Sequence, residues 1–240
     1  MTEMTSAEAA EVLGVSSRQV ARLVAGGQVL RTRTVGRTFL LDEASVRRVQ
    51  RESAGSGRAW AEPTCWAALA VLSGQPAQWL GPSARTRLAH RLRKAGAGDL
   101  AAATRRRAVA HRFAGRPGIL PELREYVVAS GRDAAWASND RFRLAGPSEI
   151  AEGYAHVENI PMIVAEFALA PDPGGNIVLR GVRSADGFDM GATPIAAVAV
   201  DLMESLDPLE RASGQRVLSE LSAAYRRSET SMRRSPRAQD

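Results

Sequence analysis

The sequence predicts an α+β protein in two domains, a small N-terminal one and a larger mixed α/β one, and three observations carry that reading. Apolar residues recur at three- and four-residue spacing through the first fifty residues, punctuated by Gly14, Gly26 and Gly27. Ser53-Ala54-Gly55-Ser56-Gly57 has the composition of a flexible linker. Beyond residue 126, short β-like runs such as residues 176–182 join the helical patterns. The chain therefore divides into residues 1–52, a linker 53–58, a mixed domain 59–227 and a polar, flexible tail 228–240. With 240 residues and 45% hydrophobic content, both domains can carry a core.

Thr5 or Ser6 caps a first helix whose apolar positions are Ala9, Val12 and Leu13. Gly14 supplies the positive φ of a tight turn. Ser16 or Ser17 caps a second helix, with Val20, Leu23 and Val24 inward and Arg18, Gln19 and Arg22 outward. Gly26-Gly27 ends it. Residues 29–41 then read as a hairpin turning near Gly36, and Asp42 caps a helix through Val46 and Val49. In a helix-turn-helix, the N-terminal part of the second helix meets base edges in the major groove of DNA. Arg31, Arg33 and Arg37 fall on the hairpin, where phosphate contacts and minor-groove insertion need positive charge.

The order Ala9-Ala10-x-x-Leu13-Gly14-Val15-Ser16, then an arginine-bearing helix, then a Gly36-Arg37 hairpin resembles the winged helix-turn-helix domains of the MerR and phage-excisionase class. The resemblance covers roughly the first fifty residues. It implies a winged helix-turn-helix that binds DNA through Ser16, Ser17, Arg18, Gln19 and Arg22 of the recognition helix and Arg31, Arg33 and Arg37 of the wing. The competing reading is a small helical domain for protein contacts, its arginines merely solvated.

Charge is uneven. The net charge is +6, yet residues 58–125 hold eleven Arg and one Lys against four acids, while residues 126–240 hold twelve Arg against sixteen acids. Lys94 is the only lysine, so part of the arginine content follows a compositional bias. The single cysteine, Cys65, permits no intramolecular disulfide and reads as a buried small hydrophobe. No signal-peptide layout and no membrane-length apolar run is present, which sets the expectation of a cytoplasmic protein without membrane contact.

In the larger domain, residues 60–72 read as a helix with Trp66, Leu69, Ala70 and Leu72 available for packing. Gly74-Gln75-Pro76 interrupts, and Pro82-Ser83 starts a helix to about Lys94. There Arg85, Arg87, Arg91 and Arg93 accompany Leu88 and Leu92. A third helix is expected from near Asp99 through Arg105, Arg106 and Arg107 to Phe113. Those three arginines are candidates for contact with the DNA backbone or with a protein partner. Pro117 and Pro121 bound a turn. Residues 126–131 and 141–144 read as short strands, and 161–169 with 176–182 as a hairpin turning at Pro171-Asp172-Pro173-Gly174-Gly175. Residues 193–200 read as a last strand or the start of a helix, and 201–205 and 209–225 as helix, with Leu218, Leu221 and Tyr225 inward.

Three segments of this domain, Ala129-Ser130-Gly131-Arg132-Asp133-Ala134-Ala135, Asn176-Ile177-Val178-Leu179-Arg180 and Ala199-Val200-Asp201-Leu202-Met203-Glu204-Ser205, resemble the AbiEi-type antitoxins over roughly residues 110–225. That family joins a winged helix-turn-helix to a C-terminal domain, and its members repress the operon that encodes them together with a nucleotidyltransferase toxin. The resemblance implies a toxin partner encoded by a neighbouring gene. The chain departs from the family at its front end, where an excisionase-like module stands in place of the usual winged domain.

Catalytic patterns are missing from the sequence. There is no G-x-x-x-x-G-K-[ST] phosphate loop and no Gly-Ser followed by Asp-x-Asp. Asp186 and Asp189 have the wrong spacing for one side of a strand. His90, His111 and His156 are widely separated, and the first two are placed on arginine-rich helices. The expectation is a protein that is not an enzyme and needs no metal or cofactor. It is read as a DNA-binding transcriptional regulator, a repressor of its own operon, acting as a homodimer on double-stranded DNA. The alternative is an antitoxin of a type IV pair that neutralises a nucleotidyltransferase-like toxin, with DNA binding secondary.

Overall fold

The computed structural model describes residues 2–36, 38–53, 59–146, 149–183, 188 and 191–234. The first unit runs β1 (Glu3–Thr5), α1 (Ser6–Leu13), α2 (Ser17–Ala25), β2 (Arg31–Val35), β3 (Thr38–Asp42) and α3 (Glu43–Ser53). Thr5 opens α1 with a reciprocal cap: its Oγ1 accepts from the Glu8 N–H at 3.2 Å, and the Glu8 carboxylate accepts from the Thr5 N–H at 2.6 Å. Gly14 closes α1 at φ +65°, a conformation that a side chain would strain. Ser16 caps α2, its Oγ accepting from the Gln19 N–H at 3.3 Å. Asp42 accepts from the Ser45 N–H at 2.8 Å and so starts α3.

The hairpin has one more strand than expected. β1 pairs antiparallel with β3, giving the order β1-β3-β2, because Met4 can then sit opposite Leu41 and share its buried face. Met4, Ala9, Val20, Val29, Leu41, Val46 and Val49 form the core of this unit.

The second unit contains α4 (Glu62–Leu72), α5 (Pro82–Lys94), α6 (Ala97–Ala103), β4 (Val109–Ala114), α7 (Leu120–Leu123), β5 (Val128–Ala129), α8 (Gly131–Ala137), α9 (Asn139–Phe142), β6 (Ala151–His156), α10 (Ile160–Glu166), β7 (Ala170–Pro171), β8 (Ile177–Val182), α11 (Ile195–Met203) and α12 (Pro208–Arg234). Its strands form one mixed sheet in the order β5-β6-β8-β4-β7, with β6 and β8 parallel and the other pairs antiparallel. β8 is buried along its whole length because helices cover both faces. Ile177 and Leu179 face Ile163 and Phe167, while the opposite face meets a layer built from α4, α5, α6, α11 and α12. Trp66 of α4 anchors that layer, edge-on to Tyr154 at 5.1 Å. The chain is α+β, as the sequence predicts.

Several expected elements differ. Residues 161–166 belong to helix α10 and not to a hairpin strand, with a turn after them: Ile160, Ile163 and Phe167 are buried at helical spacing. Residues 195–203 are helical, the second of the two readings open for this stretch, and α11 is buried so completely that its sequence has no polar face to show a period. The third arginine-rich helix ends at Ala103, and residues 109–114 pair with β8 as a strand, which also places His111 on β4. Residues 139–142 are a helical turn, followed by Arg143 at φ +55°. β6 was not anticipated at all. α12 continues to Arg234, so residues 228–234 are helical where a flexible tail was expected. Most of the linker 53–58, the pair Asp186 and Asp189, and residues 235–240 of the tail lie outside the described residues. Among the described residues, no helix is long and apolar enough to cross a membrane.

Candidate nucleic-acid interface

The side chains of α2 divide cleanly by burial. Val20 is buried and Leu23 and Val24 pack on the core, which leaves Ser17, Arg18, Ala21 and Arg22 exposed. Among the described residues, the guanidiniums of Arg18 and Arg22 make no hydrogen bond or ion pair. Between α2 and the hairpin runs an open groove of about 890 Å³, with Ser17, Ala21 and Ala25 on one wall and Arg31, Thr38 and Phe39 on the other. The Arg31 guanidinium lies over the Phe39 ring, 5.2 Å from its centroid, a contact that orients the cation without neutralising it.

The other candidates are less available. Ser16 is engaged as the α2 cap, and Gln19 is half-buried. Arg33 crosses β3 to Glu3 at 2.8 Å; that hydrogen-bonded pairing lowers the Glu3 pKa and offsets the arginine's charge. Arg37 lies outside the described residues. The structure thus brings Ser17 and Arg31 to one groove and leaves Arg18 and Arg22 on the adjoining exposed face of α2. Sequence reasoning missed Phe39, whose exposure of 44% for a large aromatic on a hairpin is the signal that marks it.

Arg105, Arg106 and Arg107 do not share a helix face. They form the turn after α6, and they have three different environments. Arg105 donates to the Ala102 carbonyl at 2.9 Å, Arg106 is exposed, and Arg107 is 1% exposed. Burial removes Arg107 from the set that can touch DNA or a partner.

Arg107 instead centres a buried ionic cluster. Its Nε donates to Tyr154 Oη at 2.9 Å and to Asp201 Oδ1 at 3.0 Å, and its Nη2 donates to the same carboxylate at 2.5 Å. Its Nη1 meets Glu204 Oε1 at 2.8 Å, and Arg180 reaches the other Glu204 oxygen at 2.8 Å. Tyr154 closes the network by donating to Asp201 at 2.7 Å. Strand register explains the convergence: Tyr154 on β6 and Arg180 on β8 are direct partners and face α11, which supplies Asp201, with Glu204 at its end. Burial disfavours the charge of Glu204, but Arg107 and Arg180 outweigh it and hold its pKa down to about 2. Burial also works against Arg107, yet Glu204, Tyr154 and Asp201 raise its pKa well above the ordinary value.

The same cluster gathers three segments distant in the sequence, residues 129–135, 176–180 and 199–205. Arg180 comes from one, Asp201 and Glu204 from another, and the Gly131 N–H of the third donates to Asp201 Oδ2 at 3.4 Å. Elsewhere, Cys65 is buried and its thiol is pushed up to about 12 by desolvation, which leaves it unreactive near neutrality. Burial lowers the His111 pKa. Among the described residues, no group of three or more His, Cys, Asp or Glu is placed to hold a metal ion. No family model, no curated protein and no solved structure matches this chain.

Proposed function

We propose that the chain is a sequence-specific DNA-binding regulator of transcription, a repressor of its own operon that acts as a homodimer on a pseudo-palindromic site. One observation supports this reading above the others: Arg18 and Arg22 stand unpaired on the exposed face of α2, beside a groove whose far wall carries Arg31. Arginines that serve the fold here are engaged with carboxylates, as Arg107, Arg124, Arg132 and Arg216 are. Arg18 and Arg22 have no such role among the described residues, and a bidentate guanidinium on the exposed face of a helix suits the O6 and N7 acceptors of guanine. Ser17 and Arg31 would hold the adjacent phosphates.

A gel shift on the duplex upstream of the gene, against a scrambled duplex of equal length, tests the reading. The expected result is a shift of the upstream duplex at the lower protein concentration. The antitoxin reading predicts in addition a stable complex with the product of the neighbouring gene, which co-purification detects.

A further inference from the structure

We propose that the arginine-lined cavity above the buried ionic cluster binds a small phosphorylated anion carrying at least two phosphate groups. The cavity has a volume of about 660 Å³, inside the range of roughly 300–1,000 Å³ usual for small-molecule sites. Arg105, Arg106, Arg107, Arg180 and Arg183 line it, against Glu62 and Glu204.

Asp201 and Glu204 balance Arg107 and Arg180, so the positive surplus of the lining rests on Arg105, Arg106 and Arg183 against Glu62. Both oxygens of Glu204 are engaged, one by Arg107 and one by Arg180. Arg106 and Arg183 are exposed, and their side chains make no hydrogen bond or ion pair with the described residues. The buried Nε–H of Arg180 has no hydrogen-bond acceptor, lying 3.8 Å from Asp201 Oδ1. That Nε–H sits beside the buried carboxylate, so the groups open to a ligand are the guanidiniums of Arg106 and Arg183, unpaired among the described residues, which favour anionic oxygens.

The wall chemistry narrows the class. Ala108, Val109 and Ala110 lie near the arginines in the lining, and among the described residues no aromatic borders the cavity. A single-stranded nucleic acid would want a stacking platform, which is missing. Arg107 and Arg180 are only 1% and 5% exposed, so the reachable cations are Arg106 and Arg183, with Arg105 beside them, around a cavity of small-molecule size. A compact diphosphate group fits both constraints. Gln28, just beyond the end of α2, also lines the cavity, so an occupant would touch both units of the chain.

Isothermal titration calorimetry of the full-length protein with inorganic pyrophosphate tests the proposal, with orthophosphate and ATP as parallel arms. The double variant Arg106→Ser/Arg183→Ser changes only exposed side chains, and its thermal midpoint verifies the fold. Saturable pyrophosphate binding is expected, tighter than orthophosphate and weakened by at least ~tenfold in the double variant. ATP binding more tightly than pyrophosphate would identify a nucleotide as the source of the phosphates, and equal affinity would show that the diphosphate suffices. The absence of saturable heat with all three anions overturns the proposal, as does unchanged affinity in the folded double variant. Displacement of pyrophosphate by duplex DNA also overturns it, because the cavity would then be part of a DNA surface.

Discussion

Arg105, Arg106 and Arg107 are consecutive and chemically identical, so only their surroundings can separate them. Arg107 is enclosed by Asp201, Tyr154 and Glu204, and removing it leaves the fully buried Asp201 without its hydrogen-bonded cation and Glu204 with Arg180 alone. Arg107→Met should therefore cost about 3–5 kcal/mol of stability, whereas Arg106→Ser should stay within about 0.5 kcal/mol. Urea denaturation of the two variants checks this, and equal losses would contradict the assignment. The acid limb of stability carries a second signature. Glu204 has a folded pKa of about 2 against an ordinary 4.5, so its contribution is complete above pH 4.5 and is lost as the pH falls toward 2. Glu152 acts with the opposite sign: burial raises its pKa, so its contribution fades as the pH rises. Glu204→Gln should be less stable than the parent at pH 7 and should lose stability less steeply between pH 4.5 and 2. Parallel curves would mean that Glu204 is not held ionised by the cluster.

At the scale of elements, helix α12 offers a test in which two physical effects have opposite signs. By helix propensity alone, Gly214→Ala in the interior of α12 should stabilise by up to about 1 kcal/mol. A Cβ at Gly214, however, would lie 2.4 Å from the Ala199 carbonyl oxygen on α11, and backbone cannot yield as a side-chain tip would. The expected outcome is a lower thermal midpoint for Gly214→Ala, while a higher one would show that α11 and α12 are less tightly packed. The first unit was legible in the sequence because its signals are local: Thr5, Gly14, Ser16, Gly36 and Asp42 each set a boundary through their own backbone or cap chemistry. In the second unit, the sequence of α10 reads as a strand and that of α11 as either a strand or the start of a helix, because buried helices present apolar runs that mimic buried strands. β4 was hidden because its identity depends on pairing with β8, some seventy residues away along the chain. The candidate site divides in the same way. Exposure of Arg18 and Arg22 follows from helical period, whereas the burial of Arg107 depends on Asp201 and Glu204, which only the tertiary fold brings near.

At the scale of the molecule, the two units carry separate cores. All seven buried residues of the N-terminal core lie between Met4 and Val49. A fragment of residues 1–53 should therefore melt cooperatively, though at low stability, because about fifty residues bury little surface. A fragment without a cooperative transition would show that the first unit depends on the second. Fluorescence anisotropy on the full-length protein tests the proposed recognition of DNA by the exposed face of α2. Affinities for the upstream duplex and for a scrambled duplex would be measured in parallel for the parent and for Arg18→Ala/Arg22→Ala. The account predicts that the parent prefers the upstream duplex and that the double variant loses about 1–3 kcal/mol of that preference for each arginine that reads a base. A double variant that binds both duplexes as the parent does, with the same preference, would contradict it.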